Sequence, residues 1–151
     1  MAPLVVMLAG WLVFRAVGAA AGLQSAATWT GALRLALALM FAFTAVTHFA
    51  PRTRADLIRM VPPWLPQPAL LVTVTGVLEL VGAAGLLVPS LASVAALALV
   101  ALLIAMFPAN VHAARTRQTI AGRRATPLVV RLPLQLFWIA ALAWIANRGT
   151  S

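Results

Sequence analysis

The amino-acid sequence predicts an all-α protein that is a polytopic membrane helix bundle. Two observations lead to this prediction. Of the 151 residues, 64% are hydrophobic and 9% are charged, whereas soluble domains carry about 25% charged residues. The apolar residues also fall into five runs, each long enough to cross a hydrocarbon core of about 30 Å as a helix. A soluble core could not bury so much apolar surface, so we interpret the whole chain as a single transmembrane domain.

Each apolar run is predicted to form one helix. The first run has the position of a signal peptide, but no positive charge precedes it and Arg15 interrupts it, contrary to the usual order of such peptides. Prolines after the second run forbid one continuous helix there, and we expect a short interfacial segment. Pro89 and Ser90 form a tight hairpin, which predicts antiparallel third and fourth helices. The predicted helices are 3–22, 32–49, 69–88, 91–111 and 128–146.

The arginines predict the topology. The chain has a net charge of +9, with eleven basic residues against two acids. The arginines are concentrated in the two long connections, which five helices place on the same side. The positive-inside rule puts this side in the cytoplasm. We therefore expect a multi-pass protein of the cell inner (cytoplasmic) membrane with its N-terminus cytoplasmic and its C-terminus outside. Because the arginines border apolar runs and do not line one solvated face, we exclude a nucleic-acid partner.

Cofactor motifs are missing from the sequence. The chain has no cysteine, which excludes disulfides, thiolate metal sites and thiol redox chemistry of its own. It has no phosphate-binding loop, zinc-binding helix motif or glycine-rich dinucleotide turn. His48 and His112 are predicted to face different surroundings, so we predict no metal site.

Glu79 is the most informative polar residue. It lies about 15 Å into the third predicted helix, where an unpaired carboxylate is costly. One interpretation is a neutral side chain that bonds a neighbouring helix; the other is a group that handles a proton or binds a ligand. We favour the second, because ionisable residues inside membranes commonly mark functional sites. Arg15 has a similar predicted depth and could form an ion pair with Glu79, or it could extend to the lipid head groups.

His48 is the second candidate for proton transfer. It ends the second predicted helix, and Thr44 lies one turn deeper on the same face. Thr75 likewise precedes Glu79 by one turn, so both threonines are candidate ligand-binding residues. A single histidine is more often structural than functional, but imidazole titrates near neutral pH and few other polar groups occur in these helices.

A third group of polar residues belongs to the fourth and fifth predicted helices. Pro108 should interrupt the fourth helix and free the carbonyl of Ile104, with Asn110 close by. Arg131, Gln135 and Trp138 follow an i, i+4, i+7 pattern and share one stripe. The stripe suits an anionic or quinone-like head group, or lipid phosphate.

These residues predict a pocket. His48, Glu79, Asn110 and Gln135 occupy the cytoplasmic half or the middle of four different helices. Pockets between the helices of a bundle, apolar with a few converging polar groups, are common small-molecule sites. The sequence therefore predicts a polar pocket that opens inward.

Four segments resemble the DoxX-like family of small integral membrane proteins: HFAPRTRADLIRMVPPWLP, TGVLELVGAAGLLVP, FPANVHAA and RLPLQ. The resemblance covers about residues 34–146. It implies a four-helix core, to which this chain adds one N-terminal transmembrane helix. The family name derives from a subunit of a thiosulfate:quinone oxidoreductase, so the resemblance implies quinone-linked or accessory redox work. It implies no defined catalytic residue, and without haem, flavin or iron-sulfur ligands the electrons would need a quinone or a partner protein.

The leading hypothesis is a membrane protein that binds a small hydrophobic, quinone-like molecule and serves a redox enzyme. Glu79 would exchange the proton, His48 would couple it to the cytoplasm, and Asn110 and Gln135 would hold the head group while Arg131 supplies positive potential at the entrance. A second hypothesis is a membrane-embedded acid-base enzyme, of isomerase, hydratase or cyclase type, that uses Glu79 and His48. A third is a small-molecule transporter. The expected partners are the bilayer, the ligand and a redox protein; a homo-oligomer is compatible with these helices.

Overall fold

The computed structural model describes residues 2–120, 122–124 and 126–148. Within these residues it has five helical spans that are long and apolar enough to cross a membrane. They correspond to the five predicted helices, with ends shifted by only a few residues. The predicted all-α membrane helix bundle is therefore confirmed. The spans are Ala2–Ala21, Trp29–Phe49, Pro68–Leu87, Pro89–Arg115 and Leu128–Arg148.

Eight α-helices make up the described part of the chain, together with a 3-10 turn at Pro89–Leu91 and a two-stranded antiparallel hairpin. The helices are α1 (Ala2–Ala21), α2 (Gln24–Ala27), α3 (Trp29–Phe49), α4 (Pro51–Met60), α5 (Pro68–Leu87), α6 (Ala92–Ala105), α7 (Phe107–Arg115) and α8 (Leu128–Arg148). The strands are β1 (Thr119–Ile120) and β2 (Arg123–Arg124).

Helix α3 forms the centre of the bundle. It packs against α1, α5 and α8, while α5 packs against α6 and α6 against α8. Ala36, Leu37 and Phe41 of α3 belong to the buried core. Met7 of α1 is fully buried in the same core. The N-terminal helix is thus an integral part of the bundle.

Glycine residues of α5 allow α5 and α6 to pack closely against each other. A Cβ atom on Gly82 would lie 2.5 Å from Leu99 Cδ2, and one on Gly85 would lie 2.7 Å from Ala95 Cβ. No side chain fits in that space. Such small residues let neighbouring membrane helices approach closely and gain van der Waals contact.

The outside of the bundle is apolar. Large aliphatic side chains point away from the core, and Val81, Val94 and Val129 are 62%, 68% and 79% exposed. The two acidic residues, in contrast, are buried: Asp56 is 9% exposed and Glu79 is 4% exposed. An apolar exterior around a few buried polar groups is the arrangement that a lipid environment favours.

The fourth span is interrupted at Met106, which separates α6 from α7. The sequence correctly places the interruption near Pro108, but the carbonyl that a side chain satisfies is not that of Ile104. Gln135 Nε2 of α8 donates to the Leu103 carbonyl oxygen at 2.7 Å. The side chain of another helix thereby stabilises the break.

The connection between the second and third spans contains a regular helix, α4, which the sequence analysis did not predict. Pro51 starts it at a position where the missing N–H is not needed, and the later prolines follow its end. Gln118, just before the hairpin, donates from Nε2 to the Arg59 carbonyl oxygen at 2.6 Å. Trp64, beyond α4, is 70% exposed.

Candidate functional site

Glu79 of α5 faces α3, where it meets Thr44. The Thr44 hydroxyl lies 2.9 Å from Glu79 Oε2 and 3.0 Å from the Phe41 carbonyl oxygen. A hydroxyl has one hydrogen and two lone pairs. Thr44 can therefore donate to a carboxylate, or accept from a neutral carboxyl group while donating to Phe41. The site accommodates Glu79 in both protonation states.

His48 lies one turn further along α3 and is held by α5. Its Nδ1 is 2.9 Å from the Val72 carbonyl oxygen and 3.2 Å from Thr75 Oγ1. A carbonyl oxygen can only accept, so Nδ1 must carry a hydrogen. The other ring nitrogen, Nε2, lies 3.8 Å from Glu79 Oε2. The imidazole thus presents to the carboxyl group the nitrogen whose protonation is variable.

The pair is buried and lies within ion-pair distance, although 3.8 Å is too long for a direct hydrogen bond. His48 is 5% exposed and Glu79 is 4% exposed. With Nδ1 protonated, one further proton on either Nε2 or the carboxyl gives an ion pair or a neutral pair. Other charge states leave an uncompensated charge in an apolar interior, which is costly. The pair can therefore hold one proton without a net charge.

Gly76 makes room for this pair on α5. A Cβ atom there would lie 2.6 Å from His48 Cβ and 3.0 Å from His48 Cγ. Any side chain would push the imidazole away from its position. Gly76 thereby fixes how closely His48 can approach α5.

Arg54 of α4 is a structural contributor that the sequence analysis treated only as a topology charge. Its Nη1 donates to the His48 carbonyl oxygen at 2.9 Å, and its Nη2 donates to Thr73 Oγ1 at 2.9 Å and to the Ala69 carbonyl oxygen at 3.2 Å. It joins the end of α3 to the beginning of α5. The sequence does contain a sign of this role, because a basic residue just past a helix C-terminus can donate to the last carbonyl oxygens of the helix, which lack partners.

A second polar network joins α7 and α8. Arg131 Nη1 donates to Asn110 Oδ1 at 2.6 Å, and Asn110 Nδ2 lies 3.3 Å from Gln135 Oε1. Gln135 Nε2 then donates to the main chain of α6. An arginine side chain only donates hydrogen bonds and a carbonyl oxygen only accepts them. Each residue in this series therefore donates to the next one, from Arg131 to Asn110, then to Gln135 and finally to the main chain of α6. The Asn110 amide nitrogen keeps a second hydrogen that has no partner among the described residues.

A cavity of about 230 Å³ lies between the two networks. We call it the His48 pocket. Most of its wall is apolar, and His48, Thr75 and Asn110 supply the polar groups. Its other lining residues come from α4, from the segment after α4, from the first turns of α5 and from the region of the α6–α7 break: Leu57, Met60, Val61, Leu65, Leu71, Val72, Ala105, Met106 and Ala109.

The predicted site residues occupy different places around this pocket. His48, Thr75 and Asn110 line it, Glu79 and Thr44 lie behind His48, and Arg131 and Gln135 hold Asn110. Trp138 is absent from the lining. Its indole Nε1 is buried without a hydrogen-bond partner among the described residues, and its ring packs against the apolar core.

The predicted ion pair between Arg15 and Glu79 is not formed within the described residues. The Arg15 guanidinium lies 5.1 Å from the ring centroid of Trp29, at the other end of α3 from His48. Trp11 contacts the same ring edge to face, at 5.7 Å between centroids, and donates to the Trp29 carbonyl oxygen. Because α1 and α3 are joined by a short connection at this end, Arg15 is placed next to Trp29.

The fold and the site define a helical membrane protein with a small, mostly apolar pocket backed by a buried histidine–glutamate pair. Residues 37–146 match the family described as Domain of unknown function (DUF8561). The chain belongs to this family. No curated protein and no solved structure matches the chain.

Proposed function

We propose that this protein binds a small hydrophobic molecule with a polar head group, of the quinone type, in the His48 pocket. The observation that supports this most directly is the composition of the pocket wall. Apolar side chains surround the cavity, and three polar residues on different helices face it. Ligand sites in proteins have this combination of apolar walls and few polar groups.

Proton exchange is the proposed role of the histidine–glutamate pair. His48 lines the pocket and Glu79 lies behind it. His48 would pass the Nδ1 proton to the ligand, releasing its bond to the Val72 carbonyl, and would take up another proton on Nε2 from Glu79. This order reverses the expectation from sequence, in which Glu79 met the ligand. Reduction of a quinone to a quinol takes up two electrons and two protons. The pair would pass protons, and a partner redox enzyme would supply the electrons.

Asn110 is the proposed anchor for the head group. Arg131 and Gln135 fix its amide so that the oxygen is occupied and an N–H remains available. An N–H donor binds a carbonyl oxygen. A ligand with a carbonyl on its head group therefore fits this wall of the pocket, and the resemblance of the sequence to DoxX-like proteins supports a quinone.

A membrane-embedded acid-base enzyme is the second candidate. The short distance of 3.8 Å between His48 Nε2 and Glu79 Oε2 favours it, because paired acid and base groups at a cavity are typical of proton-transfer catalysis. Such an enzyme would isomerise, hydrate or cyclise a lipid-soluble substrate without electron transfer.

We also propose that the pocket lies at the cytoplasmic side of the inner membrane. Arg52, Arg59, Arg115 and Arg117 are exposed near α4 and the hairpin, at the same end of the bundle as the pocket. Positive charge concentrates on the cytoplasmic side of membrane proteins. The N-terminus would then be cytoplasmic and the C-terminus outside.

The test is binding of a defined probe, a substituted benzoquinone without a tail, to the purified protein in nanodiscs. Native mass spectrometry would measure occupancy for the wild type, His48→Gln and Asn110→Leu, with His112→Gln as the matched control outside the pocket. We expect both pocket variants to lose occupancy by about tenfold, the effect of losing one well-placed hydrogen bond, and the control to bind normally. Equal binding by all four proteins would contradict the proposal. Conversion of a lipid-soluble substrate by the protein alone would favour the acid-base enzyme.

A further inference from the structure

A second cavity lies on the surface of the α5–α6 hairpin. It has a volume of about 510 Å³ and is lined only by leucine, valine, alanine and glycine. We call it the α5–α6 groove. An apolar groove on a lipid-facing surface gives no information by itself about its occupant. Its position relative to the His48 pocket indicates what could occupy it.

On α5 the same helical stripe lines both cavities. Leu71 and Thr75 belong to the His48 pocket, and Leu78, Gly82 and Gly85 belong to the groove. These residues are spaced alternately by four and three positions, which keeps them on one face of a helix. The pocket ends at Thr75 and the groove begins one turn later.

The partner helix repeats this pattern in the opposite direction. Ala109 and Ala105 line the pocket, while Leu102, Ala98 and Ala95 line the groove. They again alternate by four and three positions along α7 and α6. Because α5 and α6 are antiparallel, the two cavities follow each other along a single seam between the helices.

From this continuity we infer that the two cavities hold one molecule, with its head group in the pocket and a long apolar tail in the groove. The inference rests on the proposed function and narrows its ligand to an amphipathic molecule with a tail. From Leu78 to Val88 the groove follows α5 for about 15 Å. A linear alkyl or isoprenoid chain fits that shape.

Glycine and alanine give the groove its depth. The floor of the groove is formed by small residues, namely Gly82, Gly85, Ala95 and Ala98. The exposed side chains of Leu78, Val81 and Val94 form its sides. The tail is surrounded by apolar groups whether it lies in the groove or in lipid, so it gains van der Waals contact and little hydrophobic free energy. Its main effect is to select ligands by shape and to hold the head group at the pocket.

The experiment compares two probes that share one benzoquinone ring, one without a tail and one with an alkyl tail of about twelve carbon atoms, whose extended length is close to that of the groove. Ala98→Phe fills the groove from an exposed position, and Ala101→Phe is the matched control, since Ala101 is exposed on the same helix but does not line the groove. Native mass spectrometry of the protein in nanodiscs measures how much of it carries each probe. The same spectra give the mass of the protein assembly and therefore the number of copies in it.

We expect the wild type to prefer the tailed probe about tenfold, equivalent to about 1.4 kcal/mol. Ala98→Phe should abolish this preference and leave binding of the tail-less probe unchanged, and Ala101→Phe should retain it. The inference is overturned if Ala98→Phe leaves the preference intact, if it changes the number of copies in the assembly, or if a phospholipid occupies the groove and the tailed probe does not displace it. If the tail-less probe binds but the tail adds nothing, only the tail site is wrong. If neither probe binds, the proposed function fails as well.

Discussion

His48 Nε2 lies 3.8 Å from Glu79 Oε2, and each of the two side chains is oriented by a threonine on the opposite helix. Thr44 of α3 contacts the carboxyl group of α5, and Thr75 of α5 contacts the imidazole of α3. Each helix therefore supplies a threonine that orients the titratable side chain of the other helix. Among the described residues, His48 and Glu79 are the only closely spaced titratable pair between α3 and α5. This geometry places the carboxyl group of Glu79 directly behind the imidazole that lines the pocket.

Coupled titration of the pair is the first prediction. Groups this close should titrate as a unit, with two steps that belong to both. The carboxyl band in infrared spectra should show both steps in the wild type and a single step in His48→Gln. Assignment is straightforward because the chain has two acids, and Glu79→Gln removes one of the two signals. A wild-type carboxyl band with one step, unchanged by His48→Gln, would show that the groups are independent.

Substitution of Gly76 should displace His48. Gly76→Ala puts a methyl group 2.6 Å from His48 Cβ, and overpacking of this kind costs about 1–3 kcal/mol. We expect a lower apparent melting temperature in detergent and weaker probe binding. Gly10→Ala is the control, because its new Cβ would lie 3.3 Å from the flexible end of Leu39 and at an ordinary van der Waals distance of 3.7 Å from Ala36. If the two variants behave alike, close packing at Gly76 does not fix the imidazole.

Loss of Arg54 should loosen the junction of α3, α4 and α5. Arg54→Ala removes donors from two carbonyl oxygens and one hydroxyl, and hydrogen bonds to charged groups contribute about 1.5–3 kcal/mol each. Arg54→Lys should recover only part of the stability, since an ammonium group lacks the planar fork. Arg52→Ala, which removes an exposed arginine of the same helix, should change the melting temperature little. A similar decrease for Arg52→Ala and Arg54→Ala would mean that net charge, and not these bonds, stabilises the junction.

The helix break at Met106 should depend on Gln135. Gln135→Leu leaves the Leu103 carbonyl without its side-chain donor and Asn110 without its acceptor, at a cost of about 1–3 kcal/mol for an unsatisfied buried group. Thermal unfolding measures the loss, and the benzoquinone probe should bind less well because Asn110 is no longer oriented. Gln24→Leu, at an exposed position, is the control. Normal probe binding by Gln135→Leu would show that Arg131 alone orients Asn110.

The individual roles of the polar residues were harder to predict than their general region. Sequence reasoning selected His48, Thr75 and Asn110, and all three line the pocket. It also gave Glu79 the direct exchange of a proton with the expected ligand, and it offered Arg15 either as an ion-pair partner of Glu79 or as a residue that extends to the head groups. In the structure His48 lies between Glu79 and the pocket, and Arg15 lies beside Trp29. Depth along a helix can be counted from sequence. The direction in which a side chain points depends on helix rotation, which packing sets.

By itself, the sequence determined that this is a membrane protein, how many apolar helices it has and where they lie, because the transfer of a residue into lipid depends on its own chemistry and on the length of its run. Only the tertiary structure decided which polar groups meet, that α4 closes the pocket, and that α5 and α6 share one seam with two cavities. These features depend on close contacts between distant segments, such as Gly76 with His48 and Gln135 with Leu103. Such contacts arise from packing between helices. The pattern of apolar and polar residues within one helix does not reveal which residues of another helix it will contact.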